Sequence, residues 1–233
     1  MGVRLILLPM ARPDLLTGKT HAVFDAYGTL FDVHAAVARH AGELGPRAQA
    51  LSEVWRTKQL EYSWVHGLMG RYLGFWDLTE RALDFALARH PEIDRACREK
   101  LLDAYRDLDA YDEVPGMLER LRGRGVRTAL FSNGNAAMLE RAVASAGLDA
   151  RLDAVLSVDA VKTFKTAPEA YRMVLDRLGT ARESVLFFSS NRWDIAGATA
   201  FGFDAVWVNR TSQPDEYPDQ PPRAVVKSLE DVI

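Results

Sequence analysis

The sequence has a single cysteine, no strong excess of either charge and no long uninterrupted hydrophobic run, and each of these absences narrows what the protein can be. Because Cys97 stands alone, an internal disulfide and a cysteine-ligated metal site are excluded. A formal net charge of −3 predicts no basic surface for nucleic acid or an anionic membrane. No apolar run approaches the length of a membrane-spanning helix. We therefore expect small-molecule partners, no nucleic-acid or membrane partner, and, since a lone cysteine suits a reducing compartment, a cytoplasmic location.

Residues 1–20 are predicted to form an N-terminal extension. A single Arg precedes a short apolar run that Pro9 interrupts, without the longer apolar stretch and small-residue cleavage site of a signal peptide. We expect this extension to be translated and loosely held, and we assign it no role.

Short apolar runs recur after the extension, each followed by a polar cluster and then by helical periodicity. This succession is typical of parallel strands joined by helices. The predicted strands are 21–24, 126–131, 154–158, 184–188 and 205–208. The predicted helices between them include 116–122, 136–146 and 168–178. The pattern predicts an α/β fold with a Rossmann-like, doubly wound parallel sheet.

Residues 33–112 have a different pattern, with no convincing strand and with helical periodicity over 51–64, 78–89 and 95–108. We predict that they form an all-helical cap inserted after the first strand. The catalytic core then consists of residues 21–32 and 113–233. The segment 212–222, with four prolines, is predicted to be a loop.

Polar side chains lie where the predicted strands end. They are Asp25, Ser132, Asn133, Lys165, Ser189, Asn191 and Asp194. Each is ordinary alone, because an Asp close to Gly28 can cap a loop and a lone Lys is usually solvated. Open α/β sheets, however, place their ligand sites outside the carboxyl ends of the strands. We therefore expect these residues to converge on one crevice.

The motifs resemble those of the haloacid dehalogenase superfamily. The segment FDAYGTL, the Ser132–Asn133 pair, the isolated Lys165 and the final acidic loop occur in the order typical of that superfamily, from about His21 onward. Two further stretches resemble one subgroup of this superfamily. WRTKQLEYSW, followed by LMGRYLGFW, is similar to the helical cap of the (S)-2-haloacid (L-2-haloacid) dehalogenases, and SSNRWD is similar to their last motif.

One position distinguishes this subgroup from the phosphatases of the superfamily. Family phosphatases carry a second Asp two residues after the nucleophile, as general acid, and hold Mg²⁺ with further carboxylates in the last motif. Here Tyr27 takes the first position, and Asp194 has no adjacent acid. Phosphoryl transfer would lose both its proton donor and its charge neutralisation. Halide needs no proton to leave, so the resemblance implies a dehalogenase without metal or cofactor.

The resemblance implies that Asp25 attacks C2 of a short 2-halocarboxylic acid and forms an ester, which water then hydrolyses. An (S)-2-haloacid would yield an (R)-2-hydroxyacid and halide, with inversion. Lys165 would hold Asp25 ionised, and Asp194 would activate or position the water. Similar enzymes are commonly homodimers.

The remaining site residues are also implied by the resemblance. Arg56 would receive the departing halide, with Asn191 and Phe75 nearby; the alternative for Arg56 is a surface salt bridge. The substrate carboxylate would bind Ser132, Asn133 and the backbone of Ala26 and Tyr27. The apolar wall would comprise Tyr27, Leu60, Phe75 and Trp193. Supporting hydrogen bonds would come from Thr29, Ser189 and Tyr171.

Three positions depart from the family pattern. They are Thr57, Thr166 and Arg192, of which Arg192 would place a bulky cation beside the halide site. We expect these residues to alter substrate size or halide preference. The open hypotheses are a 2-haloacid dehalogenase, including a fluoroacetate-preferring variant, a phosphatase, and a member that binds small acids without turnover.

Overall fold

The computed structural model describes residues 14–232. Six parallel strands form one sheet in the order β3-β2-β1-β4-β5-β6. They are β1 His21–Phe24, β2 Arg127–Ser132, β3 Ala154–Ser157, β4 Val185–Ser189, β5 Asp204–Val208 and β6 Ala224–Val226. The order reverses direction next to β1, as it does in doubly wound sheets. The predicted fold class is therefore confirmed, and the five predicted strands lie within one residue of the observed ones.

The central strands are buried on both faces. Every residue of β1 and β4 is buried, and Phe24 stacks on Phe188 of the neighbouring strand with ring centroids 4.7 Å apart. The edge strands β3 and β6 are partly exposed. Continuous apolar runs in the central strands follow from this burial, because helices cover both faces of a parallel sheet.

Nine α-helices surround or extend the sheet within the described residues. They are α1 Ala35–Ala38, α2 Ala41–Leu44, α3 Ala48–Leu68, α4 Phe75–Arg89, α5 Arg98–Arg106, α6 Val114–Gly123, α7 Ala136–Ser145, α8 Pro168–Leu178 and α9 Arg192–Phe201. The helix predicted over 95–108 is a 3-10 turn followed by the shorter α5. Helical periodicity is predicted after the fourth strand without stated bounds, and α9 occupies that position, with the polar residues of the last motif in its first turn. None of these helices is long and apolar enough to cross a bilayer.

The helices α1–α5 lie in the segment that is predicted to form the cap and is called the cap below, and within it α3 packs mainly on α4. α3 buries a stripe at four-residue spacing, which runs through Leu51, Trp55, Gln59 and Ser63. The Trp55 indole N–H donates to the carbonyl of Thr79 on α4 at 2.9 Å. The stripe begins apolar and continues with polar residues, so α3 brings polar groups into the interior of the cap.

The chain enters and leaves the cap through two paired segments. The Asp32 N–H donates to the Asp109 carbonyl at 3.1 Å, and the Tyr111 N–H donates to the Leu30 carbonyl at 3.0 Å. The predicted boundaries between core and cap, at residues 32/33 and 112/113, stay a prediction. The two hydrogen-bonded segments lie next to these boundaries.

Most of the predicted N-terminal extension, residues 1–13, lies outside the described residues. Its last part packs on the core, where Leu16 is buried. Lys19 donates to the Glu183 carbonyl at 2.6 Å and forms an ion pair with Asp204 at 2.5 Å. Residues 14–20 are therefore held against the sheet rather than loose.

Candidate active site

The polar side chains at the carboxyl edge of the sheet are grouped around Asp25. This residue directly follows β1, and its backbone N–H donates to the Phe188 carbonyl at 2.9 Å, which extends the ladder with β4. The register pairs Phe24 with both Leu130 and Phe188, so β4 ends one residue and β2 two residues beyond the end of β1. The carboxylate of Asp25 therefore emerges where three strands end.

The Asp25 carboxylate is buried and surrounded by donors. Its Oδ1 accepts from Lys165 Nζ at 2.9 Å. Its Oδ2 accepts from Asn191 Nδ2 at 2.8 Å and Thr29 Oγ1 at 3.1 Å, with a longer contact from Ser189 Oγ at 3.4 Å. Only 5% of Asp25 is exposed. These hydrogen bonds fix the orientation of the carboxylate.

The Lys165 ammonium lies between two carboxylates. Its Nζ is 2.9 Å from Asp25 Oδ1 and 2.8 Å from Asp194 Oδ2, and its side chain is wholly buried. The charge also lies over the rings of Phe131, at 4.4 Å, and Phe187, at 5.2 Å. The Asn133 side-chain oxygen accepts from the Lys165 backbone N–H at 2.9 Å, which anchors the loop. One cation thus joins the two acids of the site.

Asp194 is fully buried in the first turn of α9. Its Oδ1 accepts from Tyr171 Oη at 2.8 Å, and Oδ2 accepts from Lys165. Burial raises the pKa of Asp194, Lys165 and Tyr171 lower it and the charge of Asp25 raises it, with a net shift from 3.8 to about 6. Asp194 can therefore exchange a proton near neutral pH.

Tyr27 forms an aromatic wall beside Asp25. Its ring stacks on Tyr105, with centroids 5.6 Å apart, and on Phe75, at 6.2 Å. Burial raises the pKa of Tyr27 well above 10, so the phenol stays neutral. A Cβ on Gly134 would lie 3.0 Å from the Tyr27 ring, so the absence of a side chain there gives the ring its space.

Two loops beside Asp25 carry hydrogen-bond donors. Across residues 14–232, no group accepts from the backbone N–H of Ala26 or Tyr27, which lie in the turn after β1. Ser132 and Asn133 are buried at the end of β2, and Ser132 Oγ accepts from the Gly134 N–H at 3.1 Å. Backbone and side-chain donors of this kind can bind an anionic group of a substrate.

Arg56 lies on the cap side. Its Nη1 donates to Gln59 Oε1 at 2.7 Å, and no carboxylate in the described part of the chain forms an ion pair with it. Its charge lowers the pKa of Tyr27 and Tyr105, whereas the charge of Asp25 raises both. The charges of Arg56 and Asp25 therefore affect the same two phenols. Arg56 does not form the surface salt bridge that was the alternative to its place at the halide site.

The other wall residues are less enclosed. Leu60, on α3, is half-buried. Trp193 is half-buried and meets Trp64 of the cap edge to face, with centroids 5.5 Å apart. Both tryptophans line an open groove of about 700 Å³ that also reaches Lys165, whereas Asp25 lies outside its lining.

The expectation for Arg192 is wrong. Its guanidinium points away from Asn191 and binds the segment 213–222, through Asp215 at 2.7 Å and the Gln220 carbonyl at 2.9 Å. The side chain leaves the crevice because α9 begins at this residue and turns it toward β5. Thr57 is exposed on α3, and Thr166 is also exposed.

Three residues of the site were missed by sequence reasoning. Ser190 donates its backbone N–H to Thr29 Oγ1 at 2.8 Å, and Gln59 and Tyr105 hydrogen-bond to each other beneath Tyr27. Gln59 offered one signal, since it is polar within the buried stripe of α3. Among the described residues, no three His, Cys, Asp or Glu side chains are grouped so as to hold a metal ion.

Comparison with known proteins identifies close relatives. A family model described as a haloacid dehalogenase-like hydrolase matches residues 20–202. The chain is 47% identical over 211 residues to (S)-2-haloacid dehalogenase 1 of Pseudomonas sp. (strain CBS-3), a match that covers 90% of this chain and 93% of the relative. It is 45% identical to a dehalogenase of known crystal structure, with a TM-score of 0.90 and coverage of 92% and 95%. An L-2-haloacid dehalogenase from Xanthobacter autotrophicus, solved with chloropropionic acid covalently bound, is 36% identical, with a TM-score of 0.85 and coverage of 92% and 96%.

Proposed function

Because this chain belongs to the (S)-2-haloacid dehalogenase family of haloacid dehalogenase-like hydrolases, we propose that Asp25 displaces halide from C2 of a short (S)-2-haloacid through an ester intermediate. The protein is an enzyme that hydrolyses carbon–halide bonds. The covalent step, the inversion and the residue roles are our proposal. The covalently bound chloropropionic acid of the Xanthobacter autotrophicus relative supports the first of these.

The observation that carries the proposal is the environment of Tyr27. A phosphatase of this superfamily needs a proton donor at that position, but the Tyr27 phenol is buried and stacked, and its raised pKa makes it too weak an acid for that role. Its ring is apolar instead, which suits the carbon chain of a small haloacid. Halide leaves without a proton, so the absence of an acid there does not impede the reaction.

In the first step, Asp25 Oδ1 attacks C2 from the side opposite the halogen. Within residues 14–232, Oδ1 accepts one hydrogen bond, from Lys165, whereas Oδ2 accepts three. Oδ1 therefore keeps a lone pair for attack. A C–O bond forms, the carbon–halogen bond breaks, and the electron pair leaves with the halide toward Arg56. The donors at Ser132, Asn133 and the turn after Asp25 hold the substrate carboxylate.

In the second step, water attacks Cγ of the Asp25 ester. Asp194 takes a proton from that water, the bond between Cγ and the ester oxygen breaks, and the departing alkoxide takes up the proton. The second proton of the water, left on the new Asp25 carboxyl group, passes to bulk solvent, and this regenerates the Asp25 carboxylate beside Lys165. Because displacement occurs once at C2, an (S)-2-haloacid gives an (R)-2-hydroxyacid.

Halide release in EDTA tests the proposal. Each enantiomer of 2-chloropropionate, and fluoroacetate, is incubated with the protein, and halide and the configuration of the product are measured. We expect chloride and (R)-lactate from the (S) enantiomer alone. Faster release of fluoride from fluoroacetate would instead identify a defluorinating member. Metal-dependent phosphate release without halide would establish a phosphatase and overturn the proposal.

The ester is tested by one turnover in ¹⁸O-labelled water with enzyme in excess. Hydrolysis at Cγ places the label in the Asp25 side chain, whereas direct attack of water on C2 places it in the hydroxyacid. Mass spectrometry of the peptide that contains Asp25 separates the two. Asp25→Asn is expected to release no halide, and binding without turnover in both proteins would favour a member that only binds small acids.

A further inference from the structure

Gln59 is a polar residue at a fully interior position of the cap. It occupies the buried stripe of α3, is 1% exposed and lies between α4 and α5. Its amide reaches Arg56 on its own helix, Thr79 on α4 and Tyr105 on α5. A buried amide is costly unless it is hydrogen-bonded, and here both ends are satisfied.

Thr79 fixes which end of the amide faces Arg56. The single Thr79 hydroxyl proton is donated to the Phe75 carbonyl at 2.7 Å. Thr79 Oγ1 can then only accept, so the Gln59 NH₂ group must lie against it, at 2.7 Å. Gln59 Oε1 consequently points the other way, toward Arg56 Nη1. The acceptor that Arg56 meets is thus set from α4.

Arg56 depends on this acceptor. Its contact with Gln59 Oε1 is 2.7 Å, and no carboxylate in the part of the chain that the structure describes competes for the guanidinium. The Tyr105 hydroxyl also hydrogen-bonds to Arg56, and because both partners are neutral, the full charge of the guanidinium is left for an anion. A carboxylate at position 59 would instead neutralise that charge.

We propose that Gln59 is a positioning residue that aims the Arg56 guanidinium at the departing halide, with Thr79 as its anchor. The inference rests on the proposed role of Arg56 in halide departure. Charge on the halide develops during ester formation, so a correctly aimed guanidinium accelerates that step. The acceleration is largest for the halide that most needs donors, which makes chloride more sensitive than bromide.

The test compares leaving groups in Gln59→Met, which keeps the size of the side chain and removes the acceptor. Halide release in a single turnover is measured with 2-chloropropionate and 2-bromopropionate. We expect the rate with the chloro substrate to fall by about tenfold, the scale of one lost hydrogen bond to a charged group, and the bromo-to-chloro rate ratio to rise. A general packing defect would slow both substrates equally and leave the ratio unchanged, which would overturn the inference.

Matched variants keep the result interpretable. Gln49→Met changes an exposed Gln on the same helix, where it contacts Glu53, and should leave the ratio unaltered. Thr79→Val should raise the ratio as Gln59→Met does, and Thr79→Ser, which retains the hydroxyl, should bring it back toward that of the parent protein. Thr79→Val also provides the test if Gln59→Met fails to fold, and an unchanged ratio in it refutes the inference.

Arg56→Met distinguishes this inference from the proposed function. If Arg56→Met raises the ratio and the Gln59 and Thr79 variants do not, Arg56 serves the halide without Gln59 and the inference alone is wrong. If Arg56→Met leaves the ratio unchanged while Asp25→Asn still abolishes release, the proposed role of Arg56 is wrong and the inference is wrong with it.

Discussion

A Cβ atom on Gly197 would lie 2.5 Å from Tyr171 Oη. This distance is shorter than real carbon contacts allow, so the missing side chain on α9 lets the Tyr171 hydroxyl reach Asp194. Thr166 Cγ2 would also lie 2.7 Å from that Cβ, which blocks a simple shift of the helix. The hydrogen bond that stabilises the Asp194 carboxylate therefore depends on a glycine one turn away from it.

Gly197→Ala is expected to displace the Tyr171 hydroxyl. Asp194 loses a donor that lowers its pKa, so the acidic limb of hydroxyacid formation moves to higher pH. The free energy of unfolding falls by about 1–3 kcal/mol because the core is overpacked. Gly123→Ala, where a Cβ meets no atom within 4 Å, is the control and should alter neither quantity much. If the acidic limb does not shift in Gly197→Ala, the Tyr171 hydroxyl does not set the pKa of the group that titrates.

The pH dependence of ester hydrolysis follows from Asp194. The pKa of Asp194 is about 6 in the free enzyme and falls in the ester, where Asp25 no longer carries the charge that raises it, so kcat for hydroxyacid formation should fall as the pH drops below 6. Asp194→Asn should slow this step at every pH and remove the inflection. Persistence of the inflection in Asp194→Asn would assign it to another group.

The contribution of Asp194 to stability changes with pH in the opposite direction to its contribution to catalysis. Its pKa is raised on folding from 3.8 to about 6, so between these values the folded protein binds more protons than the unfolded chain. Stability from this group therefore decreases as the pH rises through that window. Urea titrations of the parent protein and Asp194→Asn at pH 4.5 and pH 7 measure the difference.

The strand ends could be predicted from sequence because each depends on a local pattern, an apolar run followed by polar residues. That pattern located Asp25 and Ser189, and parallel topology brings such ends together. β6 was missed because it is a three-residue edge strand after a proline-rich loop, too short for a recognisable run. The bonds among Arg56, Gln59 and Thr79 could not be predicted, since they depend on how α3 packs against α4.

Tyr27→Phe tests whether Tyr27 acts through its ring. The phenyl ring keeps the stacking with Tyr105 and Phe75, and the hydroxyl that is lost has a pKa too far above 10 to serve as an acid at neutral pH. We expect kcat/KM for (S)-2-chloropropionate to change by no more than about threefold, whereas Tyr27→Ala should lose at least tenfold because the apolar wall is removed. A large loss in Tyr27→Phe would require a chemical role for the hydroxyl.

Arg192→Met tests the reassignment of the residue beside Asn191. The guanidinium is buried and holds the segment 213–222, and its Nε forms an ion pair with Asp215. Removing it leaves the carbonyls of Tyr217 and Gln220 without their donor, so the free energy of unfolding should fall by about 1–3 kcal/mol.

Halide preference distinguishes between two roles for Arg192: anchoring the segment 213–222, and lying beside the halide site. Since its charge points away from the crevice, the bromo-to-chloro rate ratio of Arg192→Met should match that of the parent protein, in contrast to Arg56→Met. Asp215→Asn, which weakens the same anchor from the loop side, should reproduce part of the stability loss with the ratio again unaltered. A changed ratio in Arg192→Met but not in Asp215→Asn would return Arg192 to the halide site, because the two variants share the loop and differ only in the cation.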